Sequence, residues 1–209
     1  MATATTSRQG RPAHRSRKQA KRRSSSAAIG GWISATEFEV RYADVPFCEL
    51  ERGEVIYLTA GGWKHSRISL RIAFLLERWA EKTKRGRVLV NEAGLITERN
   101  PDTVRGVDVM YFSYRRVPDG KEPEGFAETP PELAVEVVGK KQGWKKMVQK
   151  AGEYLALGAD RVWIVDPGAR TLHVFMADKE PSKYDDTATI RDDAILPGFS
   201  CKVSEFFKS

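Results

Sequence analysis

The sequence predicts an α/β fold for the body of the chain, a sheet covered by helices, and three observations carry that prediction. Short runs rich in Val, Ile, Leu and aromatic residues recur (RVLVNEAGLIT, VRGVDVMYF, ELAVEVV, RVWIVDP and TLHVFM), as strands require. Two longer stretches repeat their apolar residues at three- and four-residue steps, the period of an amphipathic helix. Clusters of Gly, Pro, Asn and Asp separate these segments, and no internal repeat is visible.

Taken in order, FEVRY and GEVIYL flank the turn-rich ADVPFCELER and read as an N-terminal β-hairpin, although the acidic flanks of FEVRY equally suit a short helix. From His65 to Glu81 the residues Ile68, Ile72, Leu75, Leu76 and Trp79 mark one helical face, with Arg71, Arg78 and Glu81 on the other. RVLVNEAGLIT, VRGVDVMYF and ELAVEVV then read as three successive strands, separated by ERNPDT and by the Pro- and Gly-rich RRVPDGKEPEGFAETPP. A second helix is expected over Gln142–Leu157, where Trp144, Met147, Val148, Ala151 and Leu155 line a face and Gly158 supplies the C-terminal stop. RVWIVDP and TLHVFM resume the strands, and DDAILPGFSCKVSEFF closes the chain with a strand and a short helix or turn. Trp63, Trp79, Trp144 and Trp163 fall within apolar patterns and are expected in the core or at a dimer interface.

The net charge of +7 suggests a nucleic-acid binder until it is divided along the chain. Residues 1–30 hold Arg8, Arg11, Arg15, Arg17, Lys18, Lys21, Arg22 and Arg23 with no acid, so the remainder has 27 basic residues against 28 acidic ones. The tail lacks the apolar side chains that offset ordering entropy; residues 1–31 are expected to be disordered and 32–209 to form a single domain. Its basic cluster, Arg15, Arg17, Lys18, Lys21, Arg22 and Arg23, suits non-specific contact with phosphates, and a merely solvated tail is the alternative. The tail has no apolar segment of the kind a secretory signal needs, and no stretch approaches the roughly 18 apolar residues of a membrane span. Cys48 and Cys201 form neither a disulfide framework nor a zinc pattern, which fits a cytoplasmic location.

The chemistry is concentrated in two acids. Asp108 interrupts GVDVMYF on the face of Met110 and Phe112, and Glu136 interrupts ELAVEVV on the face of Ala134 and Val138. An unpaired carboxylate removed from water costs several kcal/mol, roughly, so two in neighbouring strands point to a cation. With a lysine-bearing helix following the second acid, the pattern suggests a site for magnesium and phosphate. Oxygen donors without clustered His or Cys favour magnesium, with manganese as a substitute, over zinc. Glu92 shares a face with Val88 and Val90 and is a third candidate ligand, or else a strand-end acid near solvent. His65 points along the buried stripe at its helix start, as a structural or a site histidine. The competing reading of Asp108 and Glu136 is a pair of structural acids bonded to backbone amides or to an arginine such as Arg105.

RGEVIYL, the H-x-x-I of His65 to Ile68, the acid of GVDVMYF, ELAVEVV, the K-x-x-x-Y-L-x-x-G of Lys150 to Gly158, VWIVDP and ILPGF occur in an order that resembles the Uma-type restriction endonucleases of bacteria, a branch of the PD-(D/E)XK nuclease superfamily. The likeness runs from about residue 36 to the C-terminus. It implies a restriction-endonuclease-like core, a mixed central sheet flanked by helices, and a homodimer acting on DNA. Asp108 then looks like the aspartate of the first half-motif and Glu136 like the acid of the second, while Val107 replaces the usual proline and Val138 stands where the superfamily lysine would follow. In this family the lysine has moved to the following helix, which implies Lys150, with Lys146 one turn earlier as its competitor. Glu54 matches a frequently acidic position and is a possible auxiliary ligand. GKKQG replaces the turn common among relatives and adds Lys140 and Lys141.

The resemblance implies a magnesium-dependent endonuclease in which Asp108 and Glu136 hold the ion and Lys150 assists the attacking water. The alternative is a non-catalytic nucleic-acid-binding or interaction protein that keeps the fold around a decayed site. A two-carboxylate sugar hydrolase is disfavoured because the sequence shows no aromatic-rich substrate cleft.

Overall fold

A hairpin bent across two sheets organises the molecule. The structure is a computed structural model that describes Met1 and residues 32–90, 93–140 and 142–208. The basic tail, Glu92 and Lys141 lie outside the described residues.

The first element is a helix, α1 (Ala35–Tyr42), and not the first strand of a hairpin. Ser34 explains the choice: its hydroxyl accepts the Glu37 amide while the Glu37 carboxylate accepts the Ser34 amide, a capping box that starts the helix at the acidic flank of FEVRY. The N-terminal hairpin exists, but its strands are β1 (Cys48–Glu51) and β2 (Glu54–Tyr57). Its two-residue turn places Arg52 at φ 49° and Gly53 at φ 83°, the left-handed pair that matches strand twist.

The expected strand RVLVNEAGLIT is two strands, β3 (Gly86–Val90) and β4 (Gly94–Glu98), and VRGVDVMYF is likewise split into β5 (Thr103–Gly106) and β6 (Val109–Ser113). Within this hairpin β4 pairs β5 in a four-stranded sheet of order β2-β1-β5-β4. Beyond the bend, β3 pairs β6 at one edge of a six-stranded sheet. That sheet continues through β7 (Leu133–Val137), β8 (Arg161–Asp166), β9 (Thr171–Met176) and β10 (Lys179–Tyr184) in the order β10-β9-β8-β7-β6-β3. Only β7 and β8 run parallel, joined by a helical crossover, so the sheet is mixed as expected.

Helix α2 (Trp63–Thr83) covers one face of the large sheet and α3 (Trp144–Leu157) the other. Alternation along the strands separates the two cores: Val109, Tyr111, Val135 and Val137 pack with Ile72 and Leu76 of α2, and Met110, Phe112, Ala134 and Ile164 pack with Met147 and Ala151 of α3. A third, smaller core holds Phe38 of α1 against Leu50, Ile96 and Val104 of the small sheet. The chain closes with β11 (Thr189–Ile190), β12 (Cys201–Lys202) and a short 3-10 helix (Val203–Phe207). Trp79 and Trp163 are buried as expected, but Trp63 and Trp144 are exposed at the first positions of their helices, and Val148 also faces solvent. Trp144 instead lies against the ring of His173, centroids 4.5 Å apart. No helix among the described residues is long and apolar enough to cross a membrane.

Candidate active site

Asp108 occupies the bend itself, between β5 of the small sheet and β6 of the large one. Strand pairing is interrupted there, so its carboxylate finds other partners. Oδ2 accepts the Val137 amide at 2.7 Å and lies 3.1 Å from Nε2 of His65, which α2 brings over from its first turn. The His65 imidazole is held above its ordinary pKa chiefly by that bond to Asp108, against the opposing effect of its burial.

Glu136 is the penultimate residue of β7 and points toward α3, where it is 3 % exposed. Its Oε1 accepts Nζ of Lys150 at 3.2 Å and the Tyr154 hydroxyl at 2.5 Å. Lys150 and Tyr154 are one turn apart on the buried face of α3 with Met147 and Ala151, so the lysine stem lies along core and its ammonium returns to the sheet. Nζ also reaches Oε1 of Glu49 on β1 at 3.0 Å. One ammonium therefore joins an acid from each sheet.

Behind Glu49 stands a second cation. Arg105 of β5 donates to Glu49 at 3.2 Å, to Glu51 at 2.9 Å, and through two nitrogens to Glu153 of α3 at 2.8 and 3.0 Å. The competing sequence reading is thus half realised: Asp108 does take a backbone amide, but Arg105 serves Glu49, Glu51 and Glu153 in place of either strand acid.

Burial raises the Glu136 carboxyl to a pKa of about 7, with Asp108 adding to the rise and Lys150 and Tyr154 opposing it. Burial alone would pull Lys150 down, but Glu136 and Glu49 more than offset it and keep the ammonium charged. The Tyr154 hydroxyl is pushed up by burial and by Glu136 and stays a donor.

His65, Asp108, Glu136, Lys150 and Glu49 all line one cleft of about 510 Å³, together with exposed Lys140. A second cavity of about 410 Å³, between β3 and the loop after β6, is lined by Leu89, Phe112 and Pro123 and contains none of these five groups. Glu54 is exposed beside the hairpin turn and is not brought to the cleft, and Lys146, half-buried, lies outside it near Glu51. Sequence reasoning missed Glu49. Its signal was the alternation in CELE, where Glu49 and Glu51 share a face opposite Leu50, but Asp44 and Pro46 made the segment look like a turn.

Among the described residues, no group of three or more His, Cys, Asp or Glu side chains is already gathered as a metal cage. The donor set nevertheless fits a hard divalent cation: two carboxylates, Asp108 and Glu136, line one cleft, and Glu136 is raised first by its burial and then by Asp108, against the opposing Lys150. Magnesium is commonly held by one or two carboxylates, with water and substrate phosphate completing its shell.

A bent hairpin spanning two sheets, helices on both faces of the larger sheet, an acid at the bend and another on the neighbouring β7 together define a restriction-endonuclease-like α/β protein. The chain matches the Uma2 family, described as "Putative restriction endonuclease", over residues 36–204, and belongs to it. Among solved structures it is similar to a "putative nuclease belonging to DUF820" from Anabaena variabilis, with TM-score 0.69, 18 % sequence identity, and coverage of 79 % of this chain and 94 % of that one. Comparison with curated proteins returns no match.

Proposed function

We propose that the protein is a metal-dependent endonuclease that hydrolyses phosphodiester bonds in DNA, with its site at the junction of the two sheets. The observation that carries this reading is the convergence of Asp108, Glu136 and the Lys150 ammonium on one cleft from three separate elements. Membership of the family supports it. The homodimer implied by the sequence resemblance belongs to the same proposal.

Asp108 and Glu136 would hold magnesium, or manganese in its place; when bound, the ion polarises the phosphoryl group and lowers the pKa of a nucleophilic water. Lys150 brings a fixed positive charge to the site, where it would orient that water and stabilise negative charge on the phosphoryl oxygens. Glu49 keeps the ammonium from folding wholly onto Glu136, because it draws the same nitrogen from the opposite sheet. His65 fixes the Asp108 carboxylate from the α2 side, and the Val137 amide fixes it from β7. Lys140 at the cleft and the basic tail supply phosphate contacts that do not read sequence.

Purified protein is expected to nick or cut DNA when magnesium or manganese is added. Asp108→Asn, Glu136→Gln and Lys150→Ala should each lower the rate by on the order of 10²-fold or more. Equal cutting by parent and substituted proteins would remove the assignment.

A second reading is favoured by one observation: the Lys150 ammonium is already engaged by two carboxylates. It is a nucleic-acid-binding protein whose catalytic site has decayed. Salt-sensitive binding that disappears on deleting residues 1–30, with no metal-dependent cleavage and no magnesium-dependent rise in stability, would select it.

A further inference from the structure

Part of the lining of the cleft is aromatic, a feature that was not evident from the sequence. Phe38, Tyr42, Phe47 and Phe126 line it. Tyr42 stacks on Phe38 at 5.4 Å, and Phe38 meets Phe126 at 5.9 Å, so this side is a continuous aromatic surface backed by the small core. Phe47 differs from the others. Its side lines the cleft, yet the residue is 43 % exposed and belongs to none of the three cores.

The backbone at Phe47 is also unusual. It sits at φ 57°, left-handed space that Gly or Asn enters more readily, and its carbonyl accepts the Leu58 amide at 2.6 Å, which fixes the position beside the hairpin. A bulky ring held in that conformation and left half in water adds little to folding. It is placed to contact something that enters the cleft.

Charge narrows what that is. The cleft contains Glu49, Asp108 and Glu136 against Lys150, Lys140 and His65, and Lys150 is already paired. Apart from the tail the chain is close to neutral, with 27 basic and 28 acidic residues. Duplex DNA is gripped mainly by neutralising its phosphates, whereas a single strand is held by stacking bases on aromatic rings beside a few phosphate contacts. A volume of about 510 Å³ falls within the range of sites that enclose a small organic ligand, and so suits one unstacked nucleotide.

We infer that the cleft takes an unpaired stretch of DNA, one base stacked on Phe47 and Tyr42 with the adjoining phosphodiester presented to Asp108, Glu136 and Lys150. This rests on the nuclease reading and specifies its substrate: single-stranded or locally melted DNA.

The test uses the full chain carrying Asp108→Asn, to prevent turnover, with a fluorescent oligodeoxythymidine and a duplex of the same length. Salt of about 200 mM suppresses contacts made by phosphates alone. The single strand should bind at least ~10-fold more tightly than the duplex. Phe47→Asn, which suits the left-handed backbone but lacks the ring, should weaken single-strand binding on the order of tenfold, and Phe47→Tyr should restore it. Duplex binding as tight as that of the single strand, or indifference to Phe47→Asn, would overturn the inference. Cleavage of both DNA forms by the parent protein is measured in parallel. Phe47-dependent strand binding without any cleavage supports the stacking site and removes the nuclease reading, whereas metal-dependent cutting of duplex alone does the reverse.

Discussion

Arg105 and Lys150 are both almost sealed from water and both hold Glu49, yet the carboxylates beside them are driven in opposite directions. Glu51, bonded by the Arg105 guanidinium, is held below the usual carboxylate range. Glu136, bonded by the Lys150 ammonium, is raised to about 7 by burial that this one cation does not compensate. The planar guanidinium divides its donors among three acids and grips Glu153 through two nitrogens. The ammonium is a point charge shared by Glu49 and Glu136, and Asp108 lines the same open cleft. One cluster is complete in its hydrogen bonds, every guanidinium nitrogen being used, and it ties the small sheet to α3. The other is incomplete, because burial raises Glu136 further than its one ammonium offsets.

Breaking the complete cluster should have the largest effect on folding. Arg105→Met would leave Glu49, Glu51 and Glu153 without their shared guanidinium, a loss expected to cost about 3–5 kcal/mol in urea unfolding. Arg105→Lys keeps the charge but cannot reproduce the two-nitrogen grip, so its loss should be smaller. If Arg105→Met unfolds at the parent's denaturant midpoint, the network does not brace the two sheets.

The incomplete cluster should show itself in pH dependence. A carboxyl whose folded pKa is raised contributes stability that is present below its unfolded pKa and lost as pH rises through the folded value of about 7. His65, also raised, acts in the same direction, from its unfolded value upward. Metal-free protein should therefore lose stability as pH rises from about 4.5 to about 8, with Glu136 contributing to that loss. Glu136→Gln should flatten that slope. Magnesium should restore stability to the parent at pH 8, by ~2.7 kcal/mol at about 100 times its Kd, and do little for Glu136→Gln. A parent protein whose unfolding midpoint is constant across this range would show that Glu136 is compensated by something other than a cation.

The same contrast explains what could be read from the sequence. Periodicity located α2, α3, β7, β8 and β9, because each buries a regular face against a neighbour. The resemblance pointed to Asp108, Glu136 and Lys150, which the structure brings to one cleft. The bend was not legible. RVLVNEAGLIT and VRGVDVMYF are apolar on both sides of their breaks, and which half joins which sheet is decided by distant partners: β6 and β7 beyond the bend, β1 before it. Glu49 was hidden for the same reason, since a four-residue strand carries almost no periodic signal and its role depends on Lys150 101 positions away. α1 was ambiguous because its one decisive feature, the capping box of Ser34 and Glu37, lies at its start and not in the apolar pattern.

The smallest expected effect separates two glutamates of one hairpin. Glu49 and Glu54 stand on paired strands, but Glu49 is 2 % exposed between Lys150 and Arg105 whereas Glu54 lies in solvent at the turn. Glu54→Gln should change stability by no more than about 0.5 kcal/mol and leave metal-dependent cleavage unaltered. Glu49→Gln should lower both, because it removes the charge that Lys150 and Arg105 share. A Glu54→Gln protein that loses cleavage while Glu49→Gln retains it would reverse the assignment of the upstream acid and place the site on the other strand of the hairpin.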